Sequence, residues 1–556
     1  MILGKDNIER LPPPVGTSDW ATFSRDSYCV DKTLLIKELI DSRSRVVLFT
    51  RPRRFGKTTA LNMIQAFYEG EASLFEDKKI WAAGEEYRKE QGAHPVIYLT
   101  FKDVKQTTAE EAFEKLVREV SSEIHRYRES VGKGLEDELK RRTLDAVRMG
   151  SCDRASLAAS LGLLCEAIHL HRGVAPVILI DEYDQPITTA STYGFYDEMC
   201  SFMRVFLSGA LKDNRHCHMG IMTGVLRVAK EGILSGLNNP AVWTVFDDRF
   251  SQYFGFTEEE VEAMAKYYGA EDKLPEIKAW YDGYDFGGTE IYNPWSVLQY
   301  FDHGCKPDAY WLDTSSNDLI TELVRDLPHD MVKTLEALLR DEAPRVAMAR
   351  ELGPYQSIKE RKDSLYALLV SAGYLNVASE LVRGTCRVAI PNHEIAQVFV
   401  NDIQSKINRS LSTGTSDIVG ALIDRDMSAL KSSIASFLLE SVSYFDAAAE
   451  GFFHGLTLGF LAVLRDEFRV LSNVESGEGR FDIALKPLVA GFPAFIIEVK
   501  AADDPGDDLK ALALEARRQI DGKKYDTTFR AEGIADIVKI GLAYHKDKVE
   551  LYTAAD

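Results

Sequence analysis

Along the N-terminal part of the chain, short apolar runs alternate with longer stretches in which apolar positions recur at helical spacing. Arg45–Thr50 reads as a short apolar strand and the segment after Thr58 as a helix. Pro95–Phe101 alternates, as a half-buried strand does, and residues 106–170 return to the helical period. Val177–Ile180 is a continuous apolar run ending in Asp181-Glu182, the pattern of a strand buried on both faces. A helix is expected over 194–212 and a strand over Met219–Thr223. Strands alternating with helices predict an α/β core over residues 1–250, with a mostly parallel sheet and right-handed crossovers.

From Phe254 the pattern turns mainly helical, and residues 251–400 read as a helical lid. Its last part, around Ala372-Gly-Tyr-Leu375, gives helices and short strands in a winged-helix-like order. Trp280-Tyr-Asp-Gly-Tyr284 and Tyr292-Asn-Pro-Trp295 read as fixed turns with large buried rings. A helical connector is expected over 401–439, and a second α/β domain over 440–556, ordered helix, strand, strand, helix, strand. There is no internal repeat and no low-complexity segment.

The composition, 45% hydrophobic and 27% charged over 556 residues, is that of an ordinary globular chain with several cores. No apolar run approaches the ~18 residues of a membrane span, and the first residues lack the apolar stretch of a secretory signal. Seven cysteines are scattered without C-x-x-C spacing, which predicts buried thiols in a cytoplasmic protein that does not engage membranes. His216-Cys217-His218 carries no metal reading by itself, because no second ligand pair accompanies it in the sequence. The formal charge of −20 argues against coating nucleic acid by bulk electrostatics. A local basic groove lined by Arg517, Arg518, Lys523 and Lys524 suffices for a substrate when a bound metal supplies further charge.

Two constellations carry chemistry. Phe49-Thr-Arg-Pro-Arg-Arg-Phe-Gly56-Lys57-Thr58 reads as a nucleotide-phosphate loop: a strand, a tight turn at Gly56, then a helix N-terminus with unpaired N–H groups. Arg54, Gly56, Lys57, Thr58 and Thr59 are the candidate ATP contacts, with Lys57 reaching the β- and γ-phosphates and the Thr58 hydroxyl on Mg²⁺. The loop departs from G-x-x-x-x-G-K-[ST] in having Arg51 at the first glycine. Asp181 is expected to hold the Mg²⁺ shell and Glu182 to orient or deprotonate the attacking water. Thr223, at the end of a neighbouring strand, is placed to sense the γ-phosphate, and Arg227 to pair with the phosphate or with a carboxylate.

The second constellation lies in the last domain. Asp482, on a strand entered through Gly477-Glu-Gly479, and Glu498, on the next strand, would meet across a hairpin as ligands for Mg²⁺ or Mn²⁺. Lys500 shares a strand face with Glu498 and would orient water or steady developing charge. Glu450, on a helical face with His454, is a candidate further metal ligand. Gln519 and Lys523 share a helical face and are candidate contacts to a substrate backbone.

Taken together, Tyr28-Cys-Val-Asp-Lys-Thr33, Arg51–Thr58, Asp181-Glu-Tyr-Asp184, Thr223-Gly-Val-Leu-Arg227, Gly236-Leu-Asn-Asn239, Trp280–Tyr284, Tyr292–Trp295 and Tyr310-Trp311 resemble the predicted AAA-ATPase-like bacterial proteins. That resemblance implies a P-loop NTPase core and makes arginine at the first loop glycine a family trait. Glu450-Gly-Phe-Phe-His454, Ser472–Gly477, Gly479-Arg-Phe-Asp482, Ile497-Glu-Val-Lys500 and Gln519-Ile520 resemble a PD-(D/E)XK nuclease domain, a restriction-endonuclease-like fold, with Phe481 where the family name has proline. By implication Asp482, Glu498 and Lys500 are the nuclease core. The expectation is an ATP-binding and ATP-hydrolysing protein that regulates a Mg²⁺-dependent nuclease acting on nucleic acid, DNA foremost, in defence against foreign nucleic acid. The alternative is a non-cutting nucleotide switch whose tail binds nucleic acid or a protein partner. A homo-oligomer, with Arg53 or Arg54 reaching a neighbour's nucleotide, stays open beside contacts within one subunit.

Overall fold

A computed structural model of the chain describes residues 2–3, 9–227, 240–311, 334, 337–338, 343–349, 361–379, 381–397, 420–441, 454, 457, 461, 468–476, 479–488, 492–502, 507–545 and 548–553. The chain divides into two compact units: Met1–Ser315 with Arg345–Ile395, and Ser316–Pro344 with Ala396–Asp556.

The first unit is built on five strands: β1 (Val46–Thr50), β2 (Val96–Thr100), β3 (Val177–Asp181), β4 (Met219–Gly224) and β5 (Ala241–Trp243). They lie in the order β2-β3-β4-β1-β5 and every pairing is parallel. All residues of β1, β3 and β4 are buried, as strands covered on both faces require. The expected parallel α/β core is thus present, with two additions. Ala241–Trp243 is too short to show a period, and the helix Gln185–Tyr193 follows β3 directly. Helix α1 (Lys57–Glu69) leaves the end of β1 and buries Ala60, Leu61, Ile64, Phe67 and Tyr68. These side chains join Leu35, Val47, Phe49, Leu179 and Ile221 in one core.

The remainder of this unit is less uniformly helical than the pattern predicts. Helix Glu258–Tyr268 opens with a Thr257/Glu260 capping box, and Asn293 caps helix Pro294–Asp302. Between them lies an antiparallel hairpin, Tyr284–Phe286 with Thr289–Ile291. Helix Lys362–Ala372 is followed by strands Asn376–Val377 and Thr385–Ala389, which join Arg345–Ala347 in a small antiparallel sheet. A helix followed by short antiparallel strands thus occupies the stretch expected to be winged-helix-like. The two aromatic segments expected as turns instead span element ends: Trp280-Tyr281 closes helix Leu274–Tyr281, Tyr284 opens the hairpin and Trp295 lies in the first turn of helix Pro294–Asp302. Tyr281, Tyr284 and Tyr292 are buried, whereas Trp280 and Trp295 are only half-buried.

The second unit carries a five-stranded mixed sheet rather than the three strands expected. Its strands are β6 (Phe468–Ser476), β7 (Gly479–Pro487), β8 (Ala494–Ala501), β9 (Ile537–His545) and β10 (Lys548–Thr553), in sequential order. β8 and β9 are parallel, joined through helix α2 (Leu509–Gly522), and the other pairings are antiparallel. The sequence pattern does not reveal β6, because Ser472-Asn473 interrupts its apolar alternation, nor β10, which presents only a short mixed run after His545. Phe495, Ile497 and Val499 pack into one core while Ala494 and Ile496 enter the other, so Glu498 takes the Ile496 face, toward α2. Glu450, the Gly477-Glu478 part of the expected turn and Gly236-Leu-Asn-Asn239 lie outside the described residues.

Candidate functional site

In the first unit the predicted nucleotide residues converge at the carboxyl ends of β1, β3 and β4. Gly56 (φ +79°) precedes α1 in the left-handed region, and a Cβ there would meet nothing within 4 Å. Its requirement for glycine is therefore conformational rather than steric. No side chain caps α1, so its first N–H groups keep their anion-binding capacity. Lys57 is buried, and its ammonium donates to the carbonyls of Arg51 (3.0 Å) and Pro52 (2.7 Å) across the loop. Burial lowers its pKa, and the nearby Glu182, Asp181 and Asp184 charges act the other way. Asp181 is buried and accepts two threonine hydroxyls, Thr58 at 2.7 Å on Oδ2 and Thr223 at 2.6 Å on Oδ1. A carboxylate, a hydroxyl and a lysine grouped at an uncapped helix N-terminus fit a nucleotide triphosphate with its divalent cation. Thr59 follows on the first turn of α1, half-buried.

Thr223 stands behind the site rather than in it. It is fully buried, and its hydroxyl is engaged by Asp181. Glu182 and Arg54 both hold left-handed backbone conformations (φ +53° and +67°), a strain of about 1–3 kcal/mol each that clusters at functional sites. Two residues received no individual role from sequence pattern. Asp184 is buried, and its Oδ2 accepts the N–H groups of Val225 (3.0 Å) and Leu226 (2.7 Å), fixing the turn that leads to Arg227. Burial pushes its pKa up to about 6. A Cβ on Gly224 would sit 2.4 Å from the Asp184 carboxylate, so this turn requires glycine. The signal was available, since Asp184 is the last residue of Asp181-Glu-Tyr-Asp184.

The second such residue is Arg51. It lacks a positive φ, which explains why glycine is dispensable there, and its N–H extends the ladder to Gly224. Its side chain is completely buried, donating from Nη1 to the carbonyls of Thr50 (2.9 Å) and Trp243 (3.0 Å). The guanidinium lies 5.2 Å from the Phe254 ring centroid and 5.3 Å from that of Phe286. Burial lowers its pKa to about 9. Neighbouring loop residues also reach the aromatic segment. Phe55 packs on Tyr284 and Phe286, Arg54 stacks over Trp295 at 4.4 Å, and Pro52 lies against Gly373. The loop is therefore held by side chains where a glycine-rich loop relies on backbone alone.

In the second unit, β7 and β8 bring Asp482 and Glu498 together. The Asp482 N–H donates to Glu498 Oε2 (3.4 Å), and Asp482 Oδ2 accepts the Val499 N–H (2.8 Å). Glu498 is 2% exposed, and its Oε1 accepts a hydrogen bond from Gln519 on α2. Gln519 thus sits beside a carboxylate rather than facing outward. Burial raises the Asp482 pKa, while Lys500 and Lys523 pull it down. His454 Nδ1 lies 4.0 Å from Asp482 Oδ1, and its Nε2 is 3.0 Å from the Ser472 hydroxyl. Burial lowers the His454 pKa to about 4, so the ring is neutral near pH 7. Two adjoining carboxylates whose charge is costly in this surrounding fit a hard divalent cation. One member of the expected basic groove is misplaced: Arg517 is buried and paired with Asp521 at 2.5 Å, because it lies on the sheet-facing side of α2. Arg518, Lys523 and Lys524 are exposed.

Comparison with known proteins agrees with this division. Residues 14–234 match the family model described as Predicted AAA-ATPase, and residues 448–553 match the PD-(D/E)XK nuclease superfamily. The chain carries an AAA-ATPase-like domain followed by a PD-(D/E)XK nuclease superfamily domain. Over nearly its whole length it is similar to the "Uncharacterized protein in vnfD 5'region" of Azotobacter chroococcum mcd 1. The two are 24% identical over 561 residues, which covers 97% of this chain and 98% of the relative. Among the described residues no helix is long and apolar enough to cross a membrane.

Proposed function

We propose that this protein is an ATP-binding and ATP-hydrolysing switch that regulates its own divalent-metal-dependent nuclease domain. The observation that carries the reading is the pairing of two constellations in one chain: Lys57, Thr58 and Asp181 in the first unit, and Asp482, Glu498 and Lys500 in the second. At the nucleotide site Lys57 would leave the loop carbonyls for the β- and γ-phosphates, with Arg54 and the N–H groups after Gly56 completing the cradle. Thr58 and Asp181 would hold Mg²⁺, which neutralises phosphate charge, while Thr223 keeps the Asp181 carboxylate aimed. Glu182 would orient the attacking water, and Arg227, on the turn set by Asp184, would answer to the γ-phosphate. Because Arg51, Pro52, Arg54 and Phe55 all touch the segment after residue 250, a change in loop shape on nucleotide binding would be felt there.

At the nuclease site Asp482 and Glu498 would hold Mg²⁺ or Mn²⁺, which supplies a polarised phosphate and an activated water. Glu450 is a candidate to complete that ligand set. Lys500 would steady the developing charge, Gln519 would keep Glu498 in place, and Arg518, Lys523 and Lys524 would meet the phosphate backbone. DNA in a bacterial cytoplasm is the proposed substrate, and restraint by nucleotide suits an enzyme acting on foreign nucleic acid. The catalytic half is tested by incubating linear and circular DNA and RNA with the full chain and Mg²⁺ or Mn²⁺. Cleavage that disappears in Lys500→Ala supports it. Equal cleavage by wild type and Lys500→Ala, or binding without cleavage by wild type, overturns it.

A further inference from the structure

His218 belongs to the His216-Cys217-His218 triplet, which has no second ligand pair near it in sequence. The fold supplies one. His94 stands two residues before β2 and His218 immediately before β4, and both strands flank β3. Their starts meet at the edge of the sheet opposite Asp181, and Glu90, just beyond helix Glu85–Arg88, joins them. One ligand atom from each of Glu90, His94 and His218 lies within 4.8 Å of the others. His94 Nε2 is 3.4 Å from Glu90 Oε2, and the two imidazoles stack with centroids 3.8 Å apart.

The contacts around this cluster call for a proton or a metal cation between its facing acceptors. His94 Nδ1 lies 2.8 Å from the Ala175 carbonyl, which only accepts, so Nδ1 carries the hydrogen. In the neutral ring Nε2 is then a bare lone pair facing a carboxylate oxygen, two acceptors with nothing to share. Glu90 Oε2 and the Tyr68 hydroxyl are, moreover, buried with no hydrogen bond among the described residues. The Tyr68 ring stands edge-on to both imidazoles, at 5.7 Å from His94 and 6.4 Å from His218. A proton on His94 would satisfy the His94–Glu90 contact alone. It would place an imidazolium against the His218 ring and leave the tyrosine hydroxyl unpaired.

We propose that Glu90, His94 and His218 form a transition-metal site of the Zn²⁺ type, with a metal-bound water donating to the Tyr68 hydroxyl. Two imidazoles and one carboxylate with a fourth position for water are a donor set that Zn²⁺ accepts, whereas Mg²⁺ and Ca²⁺ favour oxygen alone. The His94–Ala175 contact is the outer bond that fixes a ligating tautomer. Tyr68 lies in the last turn of α1, roughly 16 Å along that helix from Lys57. The ion would pin the starts of β2 and β4 to the far end of the helix that begins at the phosphate loop, at a site that shares no residue with either proposed reaction centre.

The test uses the full chain, stripped with a chelator and titrated with Zn²⁺ against a fluorescent indicator, beside His218→Ala, His94→Ala, Glu90→Gln and Glu498→Ala. The expected result is one Zn²⁺ equivalent that Glu498→Ala retains and that each ligand variant weakens at least ~10–100-fold, the loss typical of removing even an outer partner. Zn²⁺ should also raise the melting temperature of wild type and not of His218→Ala. His218 is only half-buried, so that variant is readable even if His94→Ala fails to fold. Equal Zn²⁺ uptake by wild type and His218→Ala, or no uptake by wild type, overturns the proposal and leaves a protonated His94–Glu90 pair.

Discussion

Gly541→Ala should damage the second unit out of proportion to one methyl group. Gly541 lies in β9 opposite Glu498 of β8, and helix α2 crosses directly over it. A Cβ at this position would sit 2.1 Å from the Ala513 carbonyl oxygen and 2.5 Å from the Arg517 amide nitrogen. Both are helix backbone, so no rotamer change relieves the clash. Restoring ordinary contact, 3.4 Å or more, requires α2 to retreat by about 1.3 Å. Gln519 rides on that helix, so the same retreat pulls its amide from Glu498. Overpacking of this kind costs about 1–3 kcal/mol, and a misplacement near 1 Å at reacting groups costs about 10²-fold in rate. The assay is thermal unfolding together with metal-dependent cleavage, beside Gly522→Ala at the last residue of the same helix. A Cβ at Gly522 meets nothing within 4 Å, so that change should be neutral or slightly stabilising. Equal melting temperatures for the two variants, with cleavage intact in Gly541→Ala, would refute the claim that this close approach sets the Gln519–Glu498 pair.

Arg51→Gly restores a glycine-rich loop yet should weaken ATP binding and lower stability, because it removes two hydrogen bonds from a charged donor, about 1.5–3 kcal/mol each before desolvation is recovered. Calorimetric ATP binding as tight as wild type would contradict this. Glu394 is buried, accepts from the Ser296 hydroxyl and the Trp311 N–H, and has its pKa raised from 4.5 to about 8 by burial. Its folded state holds a proton that the unfolded chain releases, so stability should fall as pH rises from 4.5 to about 8, by on the order of 5 kcal/mol in full. Melting curves of Glu394→Gln should lose much of that slope; an unchanged slope would argue against it. The raised pKa of Asp482 means that protons compete with the cation at a higher pH than at an ordinary carboxylate. Cleavage should therefore fade early on acidification and recover with more Mg²⁺, whereas a pH profile insensitive to Mg²⁺ would exclude that competition.

The parallel core was legible because Val46–Thr50, Val177–Asp181 and Met219–Gly224 are unbroken buried runs, each followed by its helix or turn. Local spacing also placed Lys57 and Thr58 at a helix start, and Glu498 and Lys500 on one strand face. What local pattern could not supply were partners distant in sequence. The pocket around Arg51 is made by Trp243, Phe254 and Phe286, about two hundred residues away. Gly541 shows its purpose only through its register with Glu498. The charge of Arg517 marks it as a surface residue in the sequence, while its position on α2 turns it toward the sheet. Thr223 was placed correctly at a strand end, but only the fold shows its hydroxyl committed to Asp181.

The central claim is that nucleotide at Lys57 controls phosphodiester cleavage at Glu498. The direct measurement is the cleavage rate of the purified full chain with Mg²⁺ or Mn²⁺, with and without ATP, beside Lys57→Ala and Glu498→Ala. Cleavage that vanishes in Glu498→Ala, and that ATP changes in wild type but not in Lys57→Ala, is the result predicted. Cleavage indifferent to both ATP and Lys57→Ala, or persisting in Glu498→Ala, would contradict it.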